Sequence, residues 1–485
     1  MRTSDEYLAS LDDGRSVVID GEPVKCLATH PAFAPIAQTV GSLFDLAADP
    51  KQGMQVTDET TGRQVNRLFV PPGSAAELAA YRAAAQVWAD ATHGWVGRSP
   101  DHVGAFVAAF GAHPEAFSEQ RGLRENVAAF HRRVVEKDLY LSYAIIPPQV
   151  SRATTAHAWE GDLVQVGVKE EREDGIVVSG AQMLATGGAV ADEILVSCIK
   201  PLQEDDAVFA NSFTVPLNAP GLTLYCRRPY ATATTSEFDY PLSSRFDETD
   251  ALLVFDDVFI PWKDVFVYQD TAGLRRQFFD TGAHVLGNWQ AQIRFATKLR
   301  FLAGLARKVA AVNGVDRFPG VVEKLGELAA VVSVVESGVL AAQQTAAPDD
   351  AGLWRPGAQA LYGAMGLQSE VYPRVVAIVR ELVGGGVLQV PSSRQELMLE
   401  RPRQHMERYV SSPGTPAEER IKLFKLVWDA IGSEFAGRHQ QYELFYAGAP
   451  FVVKGYAFRN FDYPSAVASV DAFLSSYELT NEVAR

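Results

Sequence analysis

Leu163-Val164-Gln165-Val166-Gly167-Val168, followed by Asp174-Gly175 and then Ile176-Val177-Val178, is the stretch whose reading decides the fold. Branched apolar residues on both sides of an Asp-Gly pair predict two strands joined by a hairpin, because Asp-Gly tolerates the positive φ of a tight turn. Outward from it, residues 194–199, 209–215, 222–226 and 252–260 carry further short runs of the same kind. Seven or so such strands predict a compact antiparallel β-barrel or sandwich over residues 141–272. The loop 216–229, with Asn218, Pro220 and Gly221, is expected to close over a site and exclude water, a plain hairpin loop being the alternative.

Both flanks read as helical. Residues 72–135 are Ala-rich with apolar side chains at helical spacing, broken near 94–100. After about Gly287 the residues Ile293, Leu299, Leu302, Leu305 and Val309 fall on one stripe, and further helices are expected near 321–344, 358–382 and 417–445. The expected organisation is a helical N-terminal domain (1–140), a central β-barrel domain (141–272) and a C-terminal helix bundle (273–485).

The composition excludes several classes. A net charge of -15 repels nucleic acid and anionic membrane surfaces. Cys26, Cys198 and Cys226 are too far apart for a disulfide framework or a CxxC motif, which suits a reducing compartment. The first residues are polar and acidic, and no run of about 18 apolar residues is evident, so a cytoplasmic protein is expected. There is no GxGxxG after a strand, no GxxxxGK[ST], no HExxH and no GxSxG. Gly384-Gly385-Gly386 follows a helix instead of opening one, and reads as a helix terminus.

Six stretches carry a resemblance: Gly97-Arg98-Ser99-Pro100-Asp101-His102, the segment from Ile145 to Arg152, Met183-Leu184-Ala185-Thr186-Gly187, Ser244-Arg245-Phe246-Asp247-Glu248, the segment from Phe255 to Trp262, and the segment from Gly432 to His439. In this order, spanning about 7–446, they resemble the 4-hydroxyphenylacetate 3-monooxygenase family, with its chlorophenol and nitrophenol branch. The resemblance implies an acyl-CoA-dehydrogenase-like fold. It implies the oxygenase component of a two-component monooxygenase: a separate NAD(P)H:flavin reductase supplies reduced FAD, O2 forms a flavin C4a-hydroperoxide, and a phenol-like or other electron-rich aromatic ring is hydroxylated. A homotetramer or homodimer is implied, and no metal.

Phenol hydroxylation asks for a fixed cation beside the phenolate and a base of suitable pKa. Arg98 is the candidate cation; a surface Arg paired with Asp101 is the plain alternative. His284 matches the substrate-facing histidine of the chlorophenol and nitrophenol branch and is the candidate base, the alternative being a structural histidine. The hydroxyphenylacetate enzymes carry a tyrosine where this chain has His102 and a histidine where it has Tyr143. This exchange shifts the expected substrate from 4-hydroxyphenylacetate toward a para-substituted or halogenated phenol or an electron-rich heteroaromatic ring. Gln149, Arg152 and Thr186 match flavin-contacting positions, Arg438 a late-helix residue near the pyrophosphate, and Asp247 a position near the flavin or substrate. Each is otherwise an ordinary strand-end, cap or turn residue.

Other functions stay open at this point. A flavin-dependent acyl-CoA-dehydrogenase-like enzyme would hold oxidised FAD tightly, and a non-catalytic helical assembly protein would bind no reduced FAD. An iron-sulfur dehydratase of the same superfamily needs cysteines near Arg98–His102, and none lies between Cys26 and Cys198.

Overall fold

In the computed structural model, which describes residues 1–150, 156, 163–233, 236–446 and 448–478, the Asp-Gly hairpin forms as read. Strand Gly167–Glu171 turns back into strand Gly175–Gln182, with the Arg172 N–H donating to the Gly175 carbonyl at 2.8 Å. The far edge of Gly175–Gln182 pairs antiparallel with the long strand Ala251–Pro261. Register slips between Phe255 and Val258, where Asp257 takes a φ of 53° and accepts from Ser179 Oγ and Lys169 Nζ. This bulge keeps Leu253, Phe255, Val258 and Ile260 all buried across the slip.

Ala251–Pro261 also pairs with Leu222–Cys226, which in turn lies parallel to Ser16–Ile19, and Glu22–Pro23 ends this six-stranded sheet. A four-stranded sheet runs Val265–Val267, Ser212–Pro216, Glu193–Val196, Leu141–Ala144, its last pair parallel. The rings of Phe213 and Phe255, one from each sheet, meet edge to face at 6.2 Å.

Two expectations need correction. The sheets do not close into an antiparallel barrel: the described strands form separate six-stranded and four-stranded sheets, and the parallel strand at Ser16–Ile19 arrives from some 200 residues away. The region 216–229 is not a lid, since Leu222–Cys226 is an interior strand.

The helical flanks form, in the expected order of helices, sheets and helices. Ala75–Ala91 and Pro100–Ala112 stand on either side of the break at 94–100. Gly94 makes that break possible: its φ is 71°, and a Cβ there would lie 2.5 Å from the Arg294 carbonyl oxygen. The loop carrying Arg98 is thereby pressed against the bundle helix Ala283–Val312.

Pro319–Gln344 and Ala358–Val383 pack beside that helix. The expected helix 417–445 is two, Ala417–Ile431 and Glu434–Phe445, because Gly432 lies tight under the Trp428 ring and Ser433 caps the next helix through the Ala436 N–H. Pro450–Asn460 and Tyr463–Leu474 follow, and the latter has no buried residue.

Among the described residues, Pro319–Gln344 alone is long and apolar enough to cross a bilayer, which the expectation of no such run had not anticipated. Its Glu327 and Glu336 pair with Arg374 and Arg300 of the neighbouring helices, and Leu328, Val332, Val335 and Val339 are buried, as befits a bundle helix.

Candidate active site

Arg98 is held by its backbone before its side chain does anything. The Gly97 and Arg98 N–H groups donate to the two oxygens of the buried Glu248 carboxylate, at 2.8 and 2.6 Å. The Tyr140 hydroxyl donates to the Arg98 carbonyl at 2.8 Å. Pro100, with its fixed φ and missing N–H, then opens the next helix and puts His102 one turn on from Arg98.

The half-buried guanidinium places Nη1 at 2.7 Å from His102 Nε2 and donates from Nη2 to the Tyr446 carbonyl at 3.2 Å. Its carbon lies 4.0 Å from the centre of the Tyr446 ring, 5.0 Å from Tyr143 and 5.6 Å from Tyr442. All of these partners are neutral, and among the described residues no carboxylate forms an ion pair with it.

That arrangement decides the state of His102. A guanidinium only donates, so Nε2 accepts and the proton sits on Nδ1, which faces Gln290 Oε1 at 3.2 Å and Tyr446 Oη at 3.3 Å. The ring is 1% exposed; burial, with the Arg98 charge adding, holds its pKa well below the ordinary histidine value. The Gln290 amide donates onward at 2.9 Å to Asp101, whose carboxyl is pushed up to about 6 by burial.

Tyr143, on strand Leu141–Ala144, lies beside this pair with its ring 5.5 Å from His102 and 6.0 Å from Phe106. Its hydroxyl has no hydrogen-bond partner among the described residues.

His284 stands apart. It occupies the first turn of Ala283–Val312, with Nδ1 at 2.8 Å from Tyr362 Oη and its ring against Phe279 and Tyr456. Burial, then the Arg459 charge, pushes its pKa down to about 4. Among the described residues no ring contact or hydrogen bond joins it to Arg98, His102 or Tyr143, whereas Phe106 touches both His102 and Phe278.

Two of the residues matched to flavin positions, Thr186 and Arg438, meet at Asp250. Thr186 Oγ donates to its Oδ1 at 2.6 Å, Arg438 grips it with Nη2 and Nε at 2.6 and 3.1 Å, and Arg227 Nε reaches Oδ2 at 2.9 Å. Although burial opposes ionisation, the Arg438 and Arg227 charges hold the Asp250 carboxyl far below the usual range. Asp247 accepts from Arg227 Nη2 and from the Tyr230 and Ala231 N–H groups, so its carboxylate anchors a chain reversal.

Thr186 also accepts, through its carbonyl, the Ser142 hydroxyl at 2.9 Å, which ties this turn to the strand bearing Tyr143. Gln149 is exposed just past the Ile146–Met183 bridge, on the same side of that strand's end. Arg152 lies outside the described residues. Sequence reading missed Tyr446, Tyr442, Gln290 and the part played by Glu248. Glu248 closes one of the quoted stretches, whereas two tyrosines four residues apart at a helix end read as core.

Comparison with known proteins covers nearly the whole chain. Residues 3–267 match the model "4-hydroxyphenylacetate 3-hydroxylase N terminal" and residues 274–475 the corresponding C-terminal model. The oxygenase component of 4-hydroxyphenylacetate 3-monooxygenase from Pseudomonas aeruginosa is 37% identical, over 94% of this chain and 88% of that protein. The oxygenase component of 4-nitrophenol 2-monooxygenase from a Rhodococcus species is 35% identical, over 92% of this chain and 86% of that one. Among solved structures, an oxygenase component of 4-hydroxyphenylacetate 3-monooxygenase complexed with FAD and 4-hydroxyphenylacetate superposes with a TM-score of 0.93 at 31% identity, covering 98% of this chain and 99% of that one. With both halves matched and a fold shared over nearly its whole length, the chain belongs to the 4-hydroxyphenylacetate 3-hydroxylase family.

Proposed function

We propose that this chain is the oxygenase component of a two-component monooxygenase and hydroxylates a para-substituted phenol, with Arg98 and Tyr143 holding the phenol oxygen. The observation that carries the reading is the Arg98 guanidinium, kept half-buried against neutral partners only, beside an unengaged tyrosine hydroxyl. A guanidinium whose hydrogen bonds go only to neutral groups favours the ionised form of a bound phenol, and ionisation raises electron density at the ring carbon ortho to the oxygen. Reduced FAD, delivered by a separate reductase, supplies with O2 the oxygen that is inserted.

His102, capped on both nitrogens, orients Arg98 and does not take the phenol proton. Placed where the hydroxyphenylacetate enzymes have tyrosine, it accepts from Arg98 and leaves the hydroxyl of Tyr143 toward the substrate. This exchange supports a phenol other than 4-hydroxyphenylacetate, nitro- or halo-substituted phenols being the first to try. Gln149 and Thr186 are read as flavin contacts; Arg438, already paired with Asp250 through Nε and Nη2, is read as bracing that wall. The site then lies where the units 1–140, 141–272 and 273–485 meet.

We also read the protein as a homo-oligomer. Val322, Val334 and Leu340 are exposed on helix Pro319–Gln344, as are Val467, Val470, Phe473 and Leu474 on the outlying helix Tyr463–Leu474, and apolar faces of this extent mark contact surfaces.

The test of the enzymatic reading is anaerobic titration with reduced FAD, followed by mixing with oxygenated buffer in the presence of a phenol panel. Tight binding of reduced FAD and a catechol product from at least one phenol are expected. Flavin reoxidation at the rate of free reduced FAD, with no product from any phenol, would refute it.

A further inference from the structure

We propose that Tyr446 is the positioning residue for the Arg98 guanidinium, and that it sets how strongly the site prefers a phenolate over a neutral phenol. This rests on the reading that Arg98 receives the phenol oxygen.

One residue makes three separate contacts with the loop that carries Arg98 and a fourth with His102 on the helix that follows. Its ring lies under the guanidinium at 4.0 Å, and its carbonyl accepts from Arg98 Nη2 at 3.2 Å. Its hydroxyl donates to the Gly97 carbonyl at 2.9 Å, and the same oxygen lies 3.3 Å from His102 Nδ1. Since the hydroxyl proton goes to Gly97, the oxygen is free to accept from the Nδ1–H, which fits the tautomer that Arg98 imposes at Nε2. The guanidinium is thus fixed in both direction and distance, with its remaining N–H groups left for a ligand.

The ring is itself held from behind. The Arg294 guanidinium lies 4.7 Å from its centre, and Arg294 is gripped by both oxygens of Glu443, which sits three residues before Tyr446 near the end of helix Glu434–Phe445. Glu443 also accepts from Lys298 Nζ and Gln368 Nε2, each at 2.9 Å. Two guanidinium groups therefore contact one ring. The Arg294 guanidinium is paired with the Glu443 carboxylate, whereas the Arg98 guanidinium hydrogen-bonds only neutral groups, the nearby Glu248 carboxylate being taken up by the Gly97 and Arg98 backbone N–H groups. A cation over an aromatic ring gains more when it is desolvated than when it is exposed, which suits the buried Tyr446.

The experiment is a pH titration of 4-nitrophenol bound to the full-length protein, because its phenolate and phenol forms absorb differently and each affinity can be read. Tyr446→Leu removes the ring and hydroxyl but keeps the backbone carbonyl. It is expected to weaken 4-nitrophenolate binding about tenfold and neutral 4-nitrophenol binding less than threefold, raising the apparent pKa of the bound ligand by roughly half a unit to one unit. Tyr446→Phe keeps the ring and should recover about half of that shift, leaving a rise of a few tenths of a unit. An unchanged ligand pKa in a folded Tyr446→Leu protein overturns the proposal. So does an equal loss for both ligand forms, which is what a purely structural role would give. If the leucine variant does not fold, Tyr446→Phe decides: a rise of a few tenths of a unit supports the proposal and no rise overturns it. Failure of the wild-type protein to bind 4-nitrophenol in either form would instead count against the phenol site, and the positioning role would fall with it.

Discussion

Arg98 was conspicuous in the sequence only through the stretch around it; on its own it read better as a surface residue paired with Asp101 or another carboxylate. The structure separates these readings, because Asp101 turns inward to Ser99 and Gln290 while Arg98 stacks on tyrosines. Replacing Arg98 with lysine is expected to lower kcat/KM for the phenol by about 100-fold, since one ammonium cannot bond His102 and the Tyr446 carbonyl and still present a flat pair of donors. Steady-state hydroxylation with reduced FAD supplied by a reductase measures this, and flavin affinity should stay within about twofold. His284 illustrates what resemblance by position leaves open. Its hydrogen bond goes to Tyr362, away from Arg98, so His284→Gln is expected to keep kcat/KM within about threefold. A loss of a hundredfold or more would restore the histidine to the role of base.

At the scale of elements, helix Glu434–Phe445 does most to assemble the site. Arg438, Tyr442 and the following Tyr446 recur every four residues, and 400° of rotation per step brings them near one face. That face meets Asp250 with its first member and Arg98 with its last two. Glu443 projects elsewhere, into the bundle, and neutralises Arg294 beside Lys298. Removing one charge from such a buried group leaves the others uncompensated, so Glu443→Gln is expected to cost about 3–5 kcal/mol, measurable by urea unfolding. The start of this helix went unread, because one helix was expected over 417–445 and the Ser433 cap was not singled out. The four-residue rhythm was not legible either, because Arg and Tyr at that spacing suit a solvated face or a core equally well.

For the whole molecule the acid limb of stability follows from buried histidines. The folded-state pKa of His284 is about 4, against the ordinary 6.5 of an unfolded chain. Below pH 6.5 the unfolded chain takes up a proton that the folded one refuses, so stability falls as pH drops from 6.5 toward 4 and then levels off. The slope for one such histidine is about 1.4 kcal/mol per pH unit. His102 and His439, both depressed by burial first, act in the same direction. Asp101, raised to about 6, acts oppositely, its folded form gaining a proton first as pH falls. Unfolding free energies of His284→Gln measured between pH 6.5 and 4.5 should therefore fall less steeply than wild type by about that slope; parallel curves would contradict the burial argument. The apolar outer helices make a second prediction: light scattering should report an oligomer, and Val470→Asp with Phe473→Asp should lower its mass if Tyr463–Leu474 forms the contact.

What the sequence by itself determined was periodicity and local chemistry: the Asp174-Gly175 hairpin, the order of helices, strands and helices, and the short stretches around Arg98, Tyr143 and Thr186. These depend on neighbours a few residues apart, whose preferences are written in the chain. Tertiary structure alone decided that the sheets stay open, because the strand at Ser16–Ile19 is only four residues long and pairs with a partner some 200 residues away. It also decided that His284 faces a different set of rings from Arg98, and that Tyr446, almost 350 residues beyond Arg98, stacks on its guanidinium. Such contacts carry no local signature; which side chains meet depends on how long helices pack, and a single register change along Ala283–Val312 would alter them.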